Sequence, residues 1–308
     1  MSDEYKKYLL KHRVDFIKLT DKQNAELAKL YIQAAAEIKE RAELIINKKG
    51  LTYAASKIRI KSLLIEASRL SDGFKTILDK SLIDSANLGK EVNALIMKSY
   101  QSSLASEGIK LNLTRILSKV SNNAVKAVYN RIWTDGLKLS DRIWLLDRRT
   151  KQEIERIVLQ NIISGGAASD KVTLSALENL LNPEYTPAKL TALHGRKVGY
   201  EASRLLRTST SEAFNEGDRL SNKANPGVTG ETWLAGPGAC DDCVSNDGQD
   251  CEDVGYPPGD SHPGCRCTTL AKVMSVEAFT SSWIDFMDNP DKYPRYQEWI
   301  LEVYKKAA

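Results

Sequence analysis

All five cysteines of this 308-residue chain fall in one stretch, as Cys240, Cys243, Cys251, Cys265 and Cys267, and one of its three histidines, His262, sits among them. The stretch reads C-D-D-C, then a loop rich in Asp, Gly and Pro, then H-P-G-C-R-C. Thiolate and imidazole are the donors a tetrahedral Zn²⁺ prefers, and two close groups can clamp one ion across a loop. Cys240 and Cys243 have the two-residue separation that lets both sulfurs face one point. Any two of His262, Cys265 and Cys267 would complete four ligands, and the choice between Cys265 and Cys267 stays open. Cys251 stands apart in Gln249-Asp250-Cys251-Glu252, where acidic neighbours raise a thiol's pKa and disfavour the thiolate, so it is left outside the ligand set.

The competing chemistry is a disulfide within the same loop, which would fit an extracellular protein. An odd cysteine count suits a full disulfide framework poorly. The opening Met1-Ser-Asp-Glu-Tyr-Lys-Lys has no apolar core of a signal peptide, and no stretch approaches a membrane span. Cytoplasmic synthesis, no membrane association and one structural Zn²⁺ are therefore expected. A zinc-dependent hydrolase or another enzyme using the Cys/His loop is the alternative, and Asp247 or Glu252 would offer it a general base. A deaminase would need His-x-Glu or Cys-x-Glu followed by Pro-Cys-x-x-Cys, and that spacing does not occur. H-E-x-x-H, G-x-S-x-G and a glycine-rich phosphate loop are also missing. No catalytic residues are assigned, and the chain is read as a non-enzyme.

The elements that must position this loop are mostly helices. Leu27, Leu30, Tyr31, Ala34, Ala35 and Ile38 recur at helical spacing within a run from Glu4 to Asn47 that Lys48-Lys49-Gly50 should stop. A second run carries Ile58, Leu63, Leu64, Ala67 and Leu70, is expected to break near Ser71-Asp72-Gly73, and resumes with Val92, Leu95 and Ile96. Ser140-Asp141 offers an N-cap, Ser164-Gly165-Gly166 a break, and a helix is expected from Pro187 to Asn222. Thr229–Leu234 and Cys267–Val276 are the strand candidates, paired with the cysteine loop closing one end. The fold expected is mainly α with a small β element: an extended N-terminal helical hairpin or bundle over 1–112, then an α+β domain over 113–275 closed by a zinc-knuckle-like loop (240–267). Residues 276–308 form an aromatic-rich helical tail, expected to pack on the core.

Charge is unevenly spread. Residues 1–130 hold 23 Lys and Arg against 14 Asp and Glu, whereas the remainder holds 21 against 26. A basic first half hints at a polyanion, with phosphate contacts insensitive to base sequence. Arg266 is the sole basic residue between Glu231 and Leu270, which argues against groove reading through the metal loop.

In this order, L-S-D-R-I-W (Leu139–Trp144), R-x-x-x-S-E-A-F-N-x-G (Arg207–Gly217), a strand with Trp233, C-x-x-C and finally H-P-G-C-R-C preceded by Tyr256-Pro257-Pro258 resemble the Mu F-like minor head protein family of tailed bacteriophages, also called the head morphogenesis family. The resemblance spans roughly residues 125–275. The size and helical first half are similar to the stand-alone members from siphophages of Gram-positive bacteria. Two features depart from the pattern: Thr208-Ser209 stands where members usually have Thr-Glu, the acid being displaced to Glu212, and Cys251 is an extra cysteine. The resemblance implies a low-copy virion component inside the head near the portal, present in the host cytoplasm during assembly. It implies association with the portal protein and with scaffold or major capsid protein, and a role in DNA retention and ejection. Longer members carry a toxin domain after the metal motif, and none is expected in the residues that follow Cys267.

Overall fold

The computed structural model describes residues 3–47, 53–164, 167–183, 197–258 and 262–307. Two long helices open the chain, α1 (Asp3–Ile46) and α2 (Tyr53–Ser106). Tyr8 donates to the Glu91 carbonyl, Leu30 lies against Gly73, and Arg41 pairs with Glu66. Partner numbers fall along α2 as they rise along α1, so the two form an antiparallel hairpin. The expected stop at Lys48-Lys49-Gly50 lies outside the described residues.

The expected break at Ser71-Asp72-Gly73 does not occur, and α2 runs through it unbroken. Glycine costs an isolated helix up to about 1 kcal/mol, but a Cβ at Gly73 would come within 3.0 Å of the Leu30 side chain, so the small residue lets Leu30 seat against α2. Two stripe assignments also change. Ile58 and Leu95 are exposed, because the buried face of α2 is Ile60, Leu63, Ala67, Leu70, Phe74 and Leu78, continuing through Val92 and Ile96.

The short α3 (Leu113–Ile116) leads through a 3₁₀ turn to α4 (Val120–Asn130). Next come α5 (Leu139–Ser164) and α6 (Ala167–Leu181). Asp141 caps α5 by accepting from the Lys138 N–H at 2.9 Å, three residues back, so the cap lies earlier than Ser140. Among the described residues α7 (Val198–Ala224) begins at Val198; the expected start at Pro187 lies outside them. The strands are β1 (Val228–Leu234) and β2 (Thr268–Val273), with α8 (Asp241–Ser245) and α9 (Cys251–Val254) in the loop between them. The tail is α10 (Val276–Asp288), α11 (Pro294–Trp299), a π turn over Ile300–Tyr304, and α12 (Lys305–Ala307).

The described residues form two compact units, each discontinuous in sequence. One draws on Met1–Thr20, Ser81–Asn130 and Arg207–Ala308, the other on Asp21–Lys80 and Arg131–Leu206. The first thus takes segments from all three sequence regions, 1–112, 113–275 and 276–308. In the second, Leu27, Tyr31, Ile38, Leu63, Leu70, Ile154 and Leu177 are buried, and Glu66 is buried between Arg41 and Arg69 at 2.7 and 2.8 Å.

The first unit carries the sheet and the cysteines. Its core stacks Phe16 on Phe214 at 4.2 Å and Tyr100 on Phe279 at 4.1 Å. The tail packs into this core as expected: Trp283, Phe286, Tyr296 and Trp299 are buried, and the Trp299 indole donates to the Ala224 carbonyl at 3.2 Å. Helices α2 and α7 approach backbone to backbone. A Cβ on Gly89 would lie 2.1 Å from the Phe214 carbonyl oxygen, and one on Gly217 2.5 Å from that of Ala86. The two strands pair antiparallel from Val228↔Val273 to Leu234↔Thr268, with an irregularity between Val228 and Gly230. This register sets the two ends of the cysteine loop side by side.

Candidate metal centre

The loop closes on itself from both sides. On the β1 side, the Trp233 N–H donates to the Gln249 carbonyl at 2.8 Å and the Gly248 N–H returns to the Trp233 carbonyl at 2.9 Å. Cys240 is the N-cap of α8 and Cys243 lies in its first turn, which brings the two sulfurs of C-x-x-C toward one point. On the β2 side, Pro263 and Gly264 are the central residues of a turn closed by Cys265 N–H to the His262 carbonyl at 3.3 Å. Gly264 has φ +78°, the left-handed conformation that the third position of a Pro-Gly turn requires. H-P-G-C is thus a turn whose two outer residues are the donors.

These arms bring together all the donors named from sequence. Cys240, Cys243 and His262 form one group, and Cys243, Cys265 and Cys267 a second, with the donor atoms of each group within 4.8 Å of one another. Cys243 is shared and fully buried. His262 Nε2 lies 3.3 Å from Cys240 Sγ and 3.4 Å from Cys243 Sγ, and Cys243 Sγ lies 3.8 Å from Cys265 Sγ. A tetrahedral ion with its usual bond lengths has edges of about 3.8 Å between sulfurs and about 3.5 Å between sulfur and nitrogen. The separations match those edges and are far from a disulfide bond of about 2.05 Å; all five cysteines are free thiols. His262 Nδ1 lies 3.2 Å from the Pro263 carbonyl oxygen. Donation of the Nδ1 proton to that carbonyl leaves Nε2 as the lone-pair donor facing the sulfurs. The cluster can therefore hold a metal ion.

Cys251 lies outside both groups. Burial, then Glu231, Asp218 and Asp250, pushes its thiol up to about 12, which extends the sequence argument to acids beyond its immediate neighbours. Cys267 is also raised, first by its hydrogen bond with the Cys265 thiol and then by burial. Trp233 packs on Cys243, Cys265 and Cys267 and keeps that side dry. Arg207 and Arg266 line a small pocket with His262, Cys265 and Cys267, where positive charge favours a thiolate cluster.

Reasoning from sequence missed the groups that brace this loop. The Gly236 N–H donates to Cys267 Sγ at 3.3 Å, and a Cβ on Gly236 would meet the Arg266 carbonyl oxygen at 2.7 Å. From α7, Thr208 Oγ1 accepts the Gly264 N–H at 2.9 Å and Asn215 Nδ2 donates to the Cys267 carbonyl at 3.1 Å. The R-x-x-x-S-E-A-F-N-x-G pattern marked this helix without saying what its polar residues hold. Two of the loop carboxylates have structural partners: Asp247 accepts from the Ala235 N–H at 2.7 Å, and Asp250 pairs with Lys272. Among the described residues no helix is long and apolar enough to cross a membrane. In comparisons with protein-family models, curated proteins and solved structures, nothing matches this chain.

Proposed function

We propose that this chain is a minor head protein of a tailed bacteriophage, a low-copy virion component that docks on the portal and uses its cysteine loop as a structural Zn²⁺ site. The observation that carries the reading is the convergence of Cys240, Cys243, His262, Cys265 and Cys267 at the closed end of a two-stranded sheet. Those residues, with the α7 pattern that braces them, are the ones on which the family resemblance rests. An ion held there would cross-link α8 to the turn before β2 and supply folding free energy directly. Cys240, Cys243 and His262 would hold it, with the fourth position taken from the Cys265–Cys267 arm. Support for a structural reading over a hydrolase comes from Asp247 and Asp250, whose carboxylates tie the loop and strands together.

In this reading the protein resides inside the head near the portal, meets scaffold or major capsid protein during assembly, binds double-stranded DNA without regard to sequence, and acts in DNA retention and ejection. Co-expression with the portal protein tests it. A stable complex with portal oligomers is expected. Particles assembled without the protein should form in normal numbers and show low infectivity, because a low-copy component is not the shell. A chain that fails to co-purify with portal, or a Glu252→Gln variant that keeps metal and portal binding yet abolishes infectivity, would overturn the docking account.

A further inference from the structure

Helix α7 lies along the arm of the loop that carries Cys265 and Cys267. Thr208 and Asn215 are seven residues apart on it, two turns and about 10.5 Å, and so share one face. Gly264 to Cys267 spans three residues, about 10 Å when extended. A hydrogen bond joins each end of the segment to α7: Gly264 N–H to Thr208 Oγ1 at 2.9 Å, and Asn215 Nδ2 to the Cys267 carbonyl at 3.1 Å. Thr208 is buried and Asn215 partly so. Both grip backbone of the arm that carries the Cys265 and Cys267 donors.

We infer that Thr208 and Asn215 are positioning residues of the metal centre, holding the second ligand arm at its binding distance so that the ion does not have to order it. The inference rests on the metal reading above. Without these bonds the C-x-x-C arm remains set by α8, but the turn at Pro263-Gly264 and the following donors lose their anchors on α7. Part of the binding free energy then goes into ordering the arm. Partners of this indirect kind change metal affinity by about 10–100-fold in other sites. The arrangement also assigns a role to two positions of the buried polar face of α7.

The test compares full-length wild type with Thr208→Val, Thr208→Ser and Asn215→Leu. Zn²⁺ affinity is read by competition with a chromophoric chelator, and ligand geometry by the visible absorption of the Co²⁺-substituted protein. The expected result is a loss of about 10-fold or more in affinity for Thr208→Val and Asn215→Leu, a changed Co²⁺ spectrum, unchanged helical circular dichroism, and recovery in Thr208→Ser, which keeps the hydroxyl. Wild-type affinity and spectrum in both Thr208→Val and Asn215→Leu would overturn the positioning role while leaving the metal site standing. Should Thr208→Val fail to fold, Asn215→Leu decides alone. A wild-type chain that takes up neither Zn²⁺ nor Co²⁺ overturns the metal reading and this inference together.

Discussion

Cys243 belongs to the buried cluster around Trp233 and Cys251 packs against that cluster, yet their surroundings give them opposite chemistry. Cys243 faces His262 and Cys265, donors that an ion can bridge; burial, and then the charges of Glu231, Asp218 and Asp250, hold Cys251 as a neutral thiol. Cys243→Ser is therefore expected to abolish metal retention and to loosen the loop, whereas Cys251→Ser keeps the full metal content. Elemental analysis of protein purified under reducing conditions without chelator reads both, and metal loss in Cys251→Ser would contradict the division. Asp218 poses a separate residue-scale case. It is fully buried between α7 and the sheet, accepts from Thr269 Oγ1, and burial pushes its carboxyl up to about 8 from 3.8. The folded state therefore binds a proton here that the unfolded chain releases near pH 4, so this contribution is full at low pH and is lost as pH rises toward 8. Asp218→Asn removes the titration. Denaturant unfolding should show the variant gaining stability relative to wild type between pH 5 and pH 8, and a pH-independent difference would refute the assignment.

Glycines decide how the helices meet. Gly217 on α7 faces the Ala86 carbonyl of α2 with no room for a methyl group, and the obstructing atom is backbone that cannot rotate away. At Gly73 the obstruction is the end of the Leu30 side chain, which can turn aside. Gly217→Ala should thus destabilise by about 1–3 kcal/mol through overpacking, whereas at Gly73→Ala the gain in helix propensity of up to about 1 kcal/mol offsets much of the crowding. Chemical denaturation of the two variants checks the order, and equal losses would mean that the α2–α7 approach is looser than it stands here. The cysteine loop shows the same dependence on small residues, since Gly236 lets its end close over Arg266 and reach Cys267.

Taken as a whole, the chain has a basic first 130 residues and an acidic remainder, the distribution on which the proposed DNA binding rests. Full-length protein is expected to bind unrelated duplexes equally and weakly. Affinity should fall steeply as salt rises from about 50 to about 200 mM, because each phosphate contact releases counterions. Gel shifts across that range read the slope; a preference for one sequence, or binding indifferent to salt, would count against the idea. The aromatic tail takes no part in this expectation, since Trp283, Tyr296 and Trp299 are consumed in the core.

The local features were legible without coordinates. The two strands, the long helical runs and the candidate donors of the cysteine loop all follow from spacing and residue type, which act over a few neighbouring positions. Segments distant in sequence decided the rest. Nothing near Gly73 announces that Leu30 will lie against it, so a glycine that reads as a break became a packing position. Ile58 and Leu95 are as apolar as Leu63 and Ile96, and only the packing of α2 turns the former outward. The bracing of the Cys265–Cys267 arm depends on α7, whose Thr208 and Asn215 gain their meaning from backbone more than fifty residues away. A hydrogen bond needs a partner in space, and residue spacing along one chain segment carries no record of which distant segment supplies it.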